Sequence, residues 1–232
     1  MACAIRAPWK IEDKEVIKQF PFEFLQKVEA DDDELSLRIS RFSRSIIHLV
    51  LTNPARTVPD VHIFALHLKA KLPTRVRGLP KPHQTTIGTA ISTVRRTAEA
   101  AAVRWIITEH LRANRAAPTA VIGDLNDDPR SNTLALLTEQ PALGTSARGR
   151  ARALYSALQL QQMNSLRDVY YTHEYNNARD VLDHVLVSEA FFAASAEHRW
   201  SLRETKIWQD YIDDGQDYSS DPGMLRADFR WG

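Results

Sequence analysis

The sequence has little cysteine, almost no net charge and no long apolar run. Cys3 is the one cysteine among 232 residues, so a disulfide within the chain is excluded and a reducing, cytoplasmic compartment is predicted. The formal net charge of +1 does not favour a strong sequence-independent grip on nucleic acid, which needs a clearly basic domain. No apolar stretch approaches the roughly 20 residues that span a bilayer, and the first ten residues lack a signal-peptide core.

The rest of the composition is typical of a globular protein, and the length fits one domain, 1–232. Apolar stretches of strand length at 45–52, 61–68, 119–122 and 181–187 predict buried strands, and residues 2–7 and 224–231 predict two more. Strands outnumber helices in a mixed order. This pattern predicts an α+β or α/β sandwich, in which helices cover packed sheets.

Residues 92–112 have the spacing of a long amphipathic helix. Six residues make its predicted apolar stripe, namely Val94, Ala98, Ala101, Ala102, Trp105 and Ile106. The charged residues mostly face away from that stripe, namely Arg95, Arg96, Glu99, Arg104 and Glu109. Its arginines, together with Arg148, Arg150 and Arg152 of a predicted loop at 141–153, indicate either a solvated surface or a nucleic-acid contact. Residues 29–34 are acidic and predict a solvated turn, and Cys3 is predicted to pack inside a strand.

The segment at 120–129 carries the sharpest chemical signal. A buried strand ends at Gly123, and Asp124, Asn126 and Asp127 follow in a tight turn. A carboxylate and an amide two residues apart point the same way from an extended backbone, and phosphate-ester hydrolysis needs such a pair beside Mg²⁺. Asp and Asn are also common turn residues. The sequence alone leaves both readings open.

Three other segments hold candidate site residues. His67 lies near the end of a predicted strand with lysines after it, although a single strand histidine is more often a hydrogen-bonded core residue. Asp183 shares a strand face with valines, so it needs a hydrogen-bonding partner, whereas His184 faces the other way and is predicted to be structural. Asp221 lies in a polar turn before the last strand.

In this order and spacing, residues 67–69, 123–127, 182–188 and 220–221 resemble the endonuclease/exonuclease/phosphatase family. That family includes DNase I-like nucleases, abasic-site endonucleases, sphingomyelinases and inositol-phosphate phosphatases. Residues 41–44 and 172–175 are similar to a bacterial branch of uncharacterised members. The resemblance implies a DNase I-like β-sandwich of two facing sheets flanked by helices. It also implies a phosphate-ester substrate, including nucleic acid, and Mg²⁺ or Mn²⁺ as cofactor.

Site roles follow from the resemblance, residue by residue. Asp124 orients or activates the attacking water, and Asn126 hydrogen-bonds the phosphate. His67 hydrogen-bonds a phosphate oxygen and helps to protonate the leaving group. Asp183 orients a second histidine next to Asp221. The implied metal-proximal residues are Asp221, Asp124 and Asn126.

Two departures from the family pattern put activity in question. Pro222 stands where the family has histidine after Asp221, and proline can neither accept a proton nor hydrogen-bond through its side chain. The strand ending in asparagine and the metal-binding glutamate that open the family pattern are not found before His67, so we predict that the N-terminal part of the domain is absent. The alternative to an enzyme is therefore a catalytically silent relative that acts as a binding module. Missing strands would expose a sheet edge, which predicts a homo-oligomer.

Overall fold

The computed structural model describes residues 2–30, 33–78, 80–114, 117–139, 149–164, 172–175, 178–208 and 224–232. In these ranges the strands are β1 (Lys10–Ala30), β2 (Asp33–Thr52), β3 (Val61–Ala65), β4 (Thr119–Asp124), β5 (Tyr155–Ser156), β6 (His173–Tyr175), β7 (Ala178–Asp180), β8 (Asp183–Val187), β9 (Trp200–Trp208) and β10 (Met224–Trp231). The α-helices are α1 (Lys81–Ala113), α2 (Asn132–Thr138) and α3 (Ala157–Asn164), and short 3-10 turns occupy Arg150–Arg152 and Glu189–Phe191.

The main sheet has six strands in the order β1-β2-β3-β4-β8-β5. β3 and β4 are parallel and α1 lies between them in the chain, as a parallel pair requires, while the other neighbours are antiparallel. β9 and β10 form a separate two-stranded sheet, and β6 and β7 form another. The predicted strands at 61–68, 119–122, 181–187 and 224–231 are confirmed within a few residues, and 45–52 is the second half of β2.

The main sheet is covered on both faces. Strand alternation directs Phe64, Val121 and Leu186 into a core with α1 and α2. On the other face, Ile122 and Val185 pack with Trp200 of β9 and Phe229 of β10. The resulting layers are helices, a large sheet and a smaller facing sheet, in agreement with the predicted sandwich. No helix in the described ranges combines the length and apolarity needed to cross a membrane.

The helix α1 is longer than the predicted 92–112, and the prediction of which of its side chains are buried is partly wrong. Val94 and Trp105 of the predicted apolar stripe are exposed by 42% and 52%, whereas Arg96, Glu99 and Arg104 are buried. The buried charges have partners inside the protein. Arg96 donates to Asp127, Glu99 accepts from two backbone amides, and Arg104 donates to two backbone carbonyls. Arg96 and Arg104 therefore form neither a solvated surface nor a nucleic-acid contact.

The N-terminal segment also differs from the prediction. Residues 2–7 form no strand; residues 2–5 line a cleft on the main sheet, and the chain turns at Ala7–Pro8 and enters β1 at Lys10. Cys3 is exposed rather than packed in a strand. Of the acidic run at 29–34, residues 29 and 30 pair with residues 34 and 33 near the end of the β1–β2 ladder, and residues 31–32 lie outside the described residues. Residues 141–148 of the predicted loop lie outside the described residues.

Candidate active site

A cleft of about 740 Å³ opens where β3 and β4 end and β8 begins. Its floor is the apolar face of the main sheet, including Ile63, Ala65, Ile122 and Val185. Its polar end holds His67, Asp124 and Asp183. Side chains held at strand ends by a rigid sheet are well placed for ligand chemistry. Three of the five predicted site residues therefore meet at one rim.

His67 and Asp124 lie next to each other at this rim. His67 Nε2 is 3.3 Å from Asp124 Oδ2, and the two side chains are 35% and 31% exposed. Burial lowers the pKa of His67, the carboxylate of Asp124 acts in the opposite direction, and the positive charge of Arg44 lowers it further. The imidazole is therefore neutral near pH 7, and it can donate one hydrogen bond and accept another.

The turn after β4 is built on Asp124 itself. Asp124 Oδ1 accepts a 2.8 Å hydrogen bond from the backbone N–H of Asn126, which has a positive φ of 53°. This arrangement is an Asx turn, and it presents Asp124 Oδ2 towards His67. Asn126 is 8% exposed and its Nδ2 donates to the carbonyl of Leu68 at 3.1 Å. Asp124 can therefore stabilise the turn through Oδ1 and still offer Oδ2 for chemistry, so the two interpretations of this segment, a turn and a catalytic pair, are compatible.

Asp127 and His184 hold the turn from below. The carboxylate of Asp127 accepts from Arg96 Nε at 3.0 Å and from Thr133 Oγ1 at 2.8 Å. His184 is 2% exposed, and its Nε2 lies 2.9 Å from the Asp127 carbonyl oxygen. Burial lowers the pKa of His184, so the neutral ring donates Nε2–H to that carbonyl. This burial agrees with the structural role predicted for His184.

Asp183 faces the cleft from the neighbouring strand. It is the direct cross-strand partner of Asp124 at the end of the β4–β8 ladder. The backbone N–H groups of Leu182 and Asp183 donate to the buried Thr172 hydroxyl at 2.9 and 3.3 Å, which fixes the start of β8. Two carboxylates therefore face one cavity beside His67.

Residues 66–69, which carry His67, are held by hydrogen bonds from several parts of the chain. The N–H groups of Leu66 and Leu68 donate to Ile122 and Asp124 at 3.0 Å each. The Leu68 carbonyl accepts from Asn126 and from Arg44. The Lys69 N–H donates to Glu99 Oε2 at 2.8 Å, and Glu99 Oε1 accepts from Ser43 N–H at 2.7 Å. Glu99, a residue of α1, thus joins β2 to the His67 segment.

Gly123 is required by the close approach of β4 to the same segment. Its φ is +128°, and a Cβ placed there would lie 2.1 Å from the carbonyl oxygen of Leu66. Leu66 cannot retreat easily because its N–H is bonded to Ile122. Only glycine permits this spacing between His67 and Asp124.

The described oxygen donors fit a hard divalent cation. Mg²⁺ takes one or two protein carboxylates and completes its shell with water and substrate phosphate. Asp124 and Asp183 supply carboxylates to one cleft, and the buried Asn126 is hydrogen-bonded to Asp124 in the adjoining turn. Asp221 and Pro222 lie outside the described residues. Arg44 and Glu99, which hold the segment that carries His67, have no signal in the local sequence because their partners are distant in the chain.

Known proteins share the fold of this chain and part of its sequence pattern. A family model described as "Endonuclease/Exonuclease/phosphatase family" matches residues 35–221. No curated protein sequence matches the chain. The solved structures that resemble it share the DNase I-like fold at low identity, which supports the fold and not a particular activity.

Three of these structures are the human Nocturnin catalytic domain with bound sulfate anion, the endonuclease/exonuclease/phosphatase from Bacteroides vulgatus, and truncated Caenorhabditis elegans TDP2. The Nocturnin domain is 16% identical with a TM-score of 0.54, and the match covers 97% of this chain and 60% of that chain. The Bacteroides protein is 12% identical with a TM-score of 0.54, covering 97% and 67%. TDP2 is 12% identical with a TM-score of 0.53, covering 97% and 68%. The chain therefore spans about two thirds of the lengths of these structures.

Proposed function

Because the chain belongs to the endonuclease/exonuclease/phosphatase family, we propose that it hydrolyses a phosphodiester or phosphomonoester with Mg²⁺ or Mn²⁺ as cofactor. One observation carries the proposal: His67, Asp124 and Asp183 line one cleft, with His67 Nε2 3.3 Å from Asp124 Oδ2. A nucleic acid is one substrate of this chemical class. The nucleases and phosphatases of the family act on the same bond type.

In this proposal each side chain has a defined task. Asp124 orients the attacking water and accepts its proton, since its Oδ2 faces the cleft while Oδ1 is held by Asn126 N–H. His67, neutral at pH 7, donates a hydrogen bond to a phosphate oxygen. Asn126 fixes the turn and contributes its amide to the phosphate, and Asp221 contributes a carboxylate to the metal. Asp124, Asp183 and Asn126 supply oxygens suited to Mg²⁺, which would act as a Lewis acid on the phosphate when bound.

The proposal is tested with bis-p-nitrophenyl phosphate, a phosphodiester that releases coloured p-nitrophenol, and with p-nitrophenyl phosphate as the monoester. We expect turnover with Mg²⁺ or Mn²⁺ and none in EDTA. Asp124→Asn removes the proton acceptor but keeps the shape, and we expect a loss of roughly 1,000-fold in kcat/KM.

Asp128→Asn is the matched control, because Asp128 lies in the same turn and its carboxylate accepts a local, exposed hydrogen bond from Arg130 N–H. Its activity should stay within about twofold of the parent. Turnover that survives Asp124→Asn would contradict the assignment of Asp124. Absence of metal-dependent turnover in the folded parent protein would favour the silent relative that acts as a binding module.

We further propose that the chain self-associates through β1 in a reducing, cytoplasmic compartment. β1 is the terminal strand of the main sheet, and Ile11 and Val16 on it are each 48% exposed. Unpaired edges with exposed apolar side chains favour strand-to-strand association. The single cysteine, Cys3, supports the compartment.

Ile11→Lys with Val16→Lys should shift the mass in light scattering from an oligomer towards the 26.3 kDa monomer. Leu72→Lys is the control, because Leu72 is 72% exposed but belongs to the connection between β3 and α1 and not to β1, and it should leave the mass unchanged. A parent protein that is monomeric at high concentration would refute association through β1.

A further inference from the structure

Three histidines meet on the other face of the main sheet from the cleft. His48 lies on β2, His62 opens β3 and His110 lies in the last turn of α1. One nitrogen from each ring lies within 4.8 Å of one nitrogen from each of the other two. His48 is held in place by stacking on Phe64, with ring centroids 4.1 Å apart and planes 4° apart.

The spacing fits a tetrahedral metal centre. His48 Nε2 and His62 Nδ1 are 3.2 Å apart. Two imidazoles bound tetrahedrally to Zn²⁺ with bonds near 2.05 Å place their nitrogens about 3.3 Å apart. The third nitrogen therefore has at most about 1.5 Å to move to reach that spacing, an adjustment within the range of a side-chain rotation.

A hydrogen bond to Thr119, outside the cluster, sets the tautomer of His110. The hydroxyl of buried Thr119 donates to the Ala117 carbonyl at 3.1 Å, and it lies 3.1 Å from His110 Nε2. Since that hydroxyl hydrogen is already used, Thr119 accepts from His110 Nε2–H, which leaves the lone pair on Nδ1. Metal-bound histidines are typically held in this way by a partner on the other ring nitrogen.

The three histidines are also uncharged at neutral pH, as metal ligands must be. Burial lowers the pKa of His48, His62 and His110, the last to about 4, so all three imidazoles are neutral at pH 7. Metal binding requires the neutral ring. The side chain of His48 is 15% exposed, and Glu15 Oε2 lies 3.8 Å from its Nδ1. An ion can therefore reach the cluster from solvent.

We propose that His48, His62 and His110 bind a transition-metal ion of the Zn²⁺ type, with water completing the shell. The ion would tie the end of α1 to β2 and β3, which are already hydrogen-bonded to each other in the main sheet. The site is distinct from the proposed phosphoesterase centre. His62 and His67 lie near opposite ends of β3 and on opposite faces of the sheet, roughly 16 Å apart along the strand.

The test uses the full chain, stripped with EDTA and dialysed. Titration with ZnCl₂ in excess Mg²⁺, followed by calorimetry, measures stoichiometry and affinity. We expect one Zn²⁺ per chain that Mg²⁺ does not displace, since imidazole ligands do not suit Mg²⁺. At a free Zn²⁺ concentration 100 times Kd, the Tm should rise by about 5–10 °C. Co²⁺ in place of Zn²⁺ should give the visible absorption of a tetrahedral nitrogen site.

Variants assign the ligands. His62→Ala and His48→Phe should each weaken binding by roughly 100-fold, and His48→Phe retains the ring that stacks on Phe64, so it also answers whether a loss reflects misfolding. His83→Ala is the matched control, because His83 is exposed on the same helix α1. It should bind Zn²⁺ like the parent.

Asp124→Asn separates this site from the proposed active site. Zinc binding that persists in that variant supports the histidine site, whether or not the chain hydrolyses phosphate esters. Three results would overturn the inference: no Zn²⁺ binding by the folded parent, equal binding by His48→Phe, or binding that disappears in Asp124→Asn.

Discussion

Replacing Glu99 by alanine is expected to lower the free energy of unfolding by about 3 kcal/mol and to reduce activity at least tenfold. Glu99 is 1% exposed, and its two carboxylate oxygens accept from the N–H groups of Ser43 and Lys69 at 2.7 and 2.8 Å. Alanine leaves both amides without that acceptor and opens a cavity. Each buried donor that loses its partner costs roughly 1–3 kcal/mol.

Activity should fall along with stability because Lys69 follows His67 by two residues. The amide bond to Glu99 helps to hold the segment that presents the His67 imidazole. Glu99→Gln keeps one carbonyl acceptor, and it should recover part of both losses. Urea unfolding gives the stability, and hydrolysis of bis-p-nitrophenyl phosphate gives the activity.

Glu109→Ala is the control on the same helix. The side chain of Glu109 is 49% exposed and its recorded partner is Arg112, so the change should stay within about 0.5 kcal/mol. Glu99→Ala with the unfolding midpoint of the parent would mean that the two amides find water or another acceptor, and the role of Glu99 as a positioning residue would be withdrawn.

Gly123→Ala is expected to cost about 3 kcal/mol of stability and roughly 100-fold in kcat/KM. The added methyl would lie 2.1 Å from the Leu66 carbonyl oxygen, a backbone atom that cannot rotate away. β3 and β4 must separate to admit it. Because His67 follows Leu66 and Asp124 follows Gly123, that separation acts directly on the 3.3 Å contact between their side chains.

Gly149→Ala separates the strain of a positive φ from the strain of a steric clash. Gly149 also has a positive φ, +84°, but no atom of the described residues lies within 4 Å of the position of a Cβ. Its replacement should therefore cost only the conformational term, about 1 kcal/mol. Thermal unfolding of the two variants measures the difference. Equal losses would show that the close approach to Leu66 contributes nothing.

The strands that frame the cleft were predictable because their sequences are continuous apolar runs. β3, β4 and β8 have apolar packing on both faces, so hydrophobic residues occur at both odd and even positions and form continuous runs. Polar residues that follow such runs sit at strand ends, which is why His67 and Asp124 could be singled out. Their approach to 3.3 Å depends on the β3–β4 register, which local sequence does not contain.

The orientation of α1 was not predictable from its own residues. Charged side chains on a helix usually face water, and the reading of Arg96, Glu99 and Arg104 followed that rule. Glu99 instead bonds Ser43 and Lys69, which are 56 and 30 residues away. β1 was missed for a related reason: as an edge strand with one solvated side it carries many polar residues and no apolar run.

The histidine cluster illustrates the same limit. His48 and His62 both lie in stretches that predict strands, yet neither has a local signal for a ligand. They meet because His48 pairs with Phe64 and Val50 pairs with His62 across the β2–β3 ladder. His110 joins them only when the end of α1 packs on that ladder. The cluster therefore exists only when β2, β3 and α1 are packed together, and no local stretch of sequence indicates it.

The parallel pairing of β3 with β4 affects the order in which the molecule is assembled. Residues 62–65 pair with residues 119–122, so the ladder closes only after the whole α1 connection has formed. Contacts between residues far apart in sequence form slowly, because the chain must lose the entropy of loop closure before they stabilise it. Nascent hairpins such as β1–β2 can precede this step. The proposed active site should therefore be completed late in folding, with the closing of this one ladder.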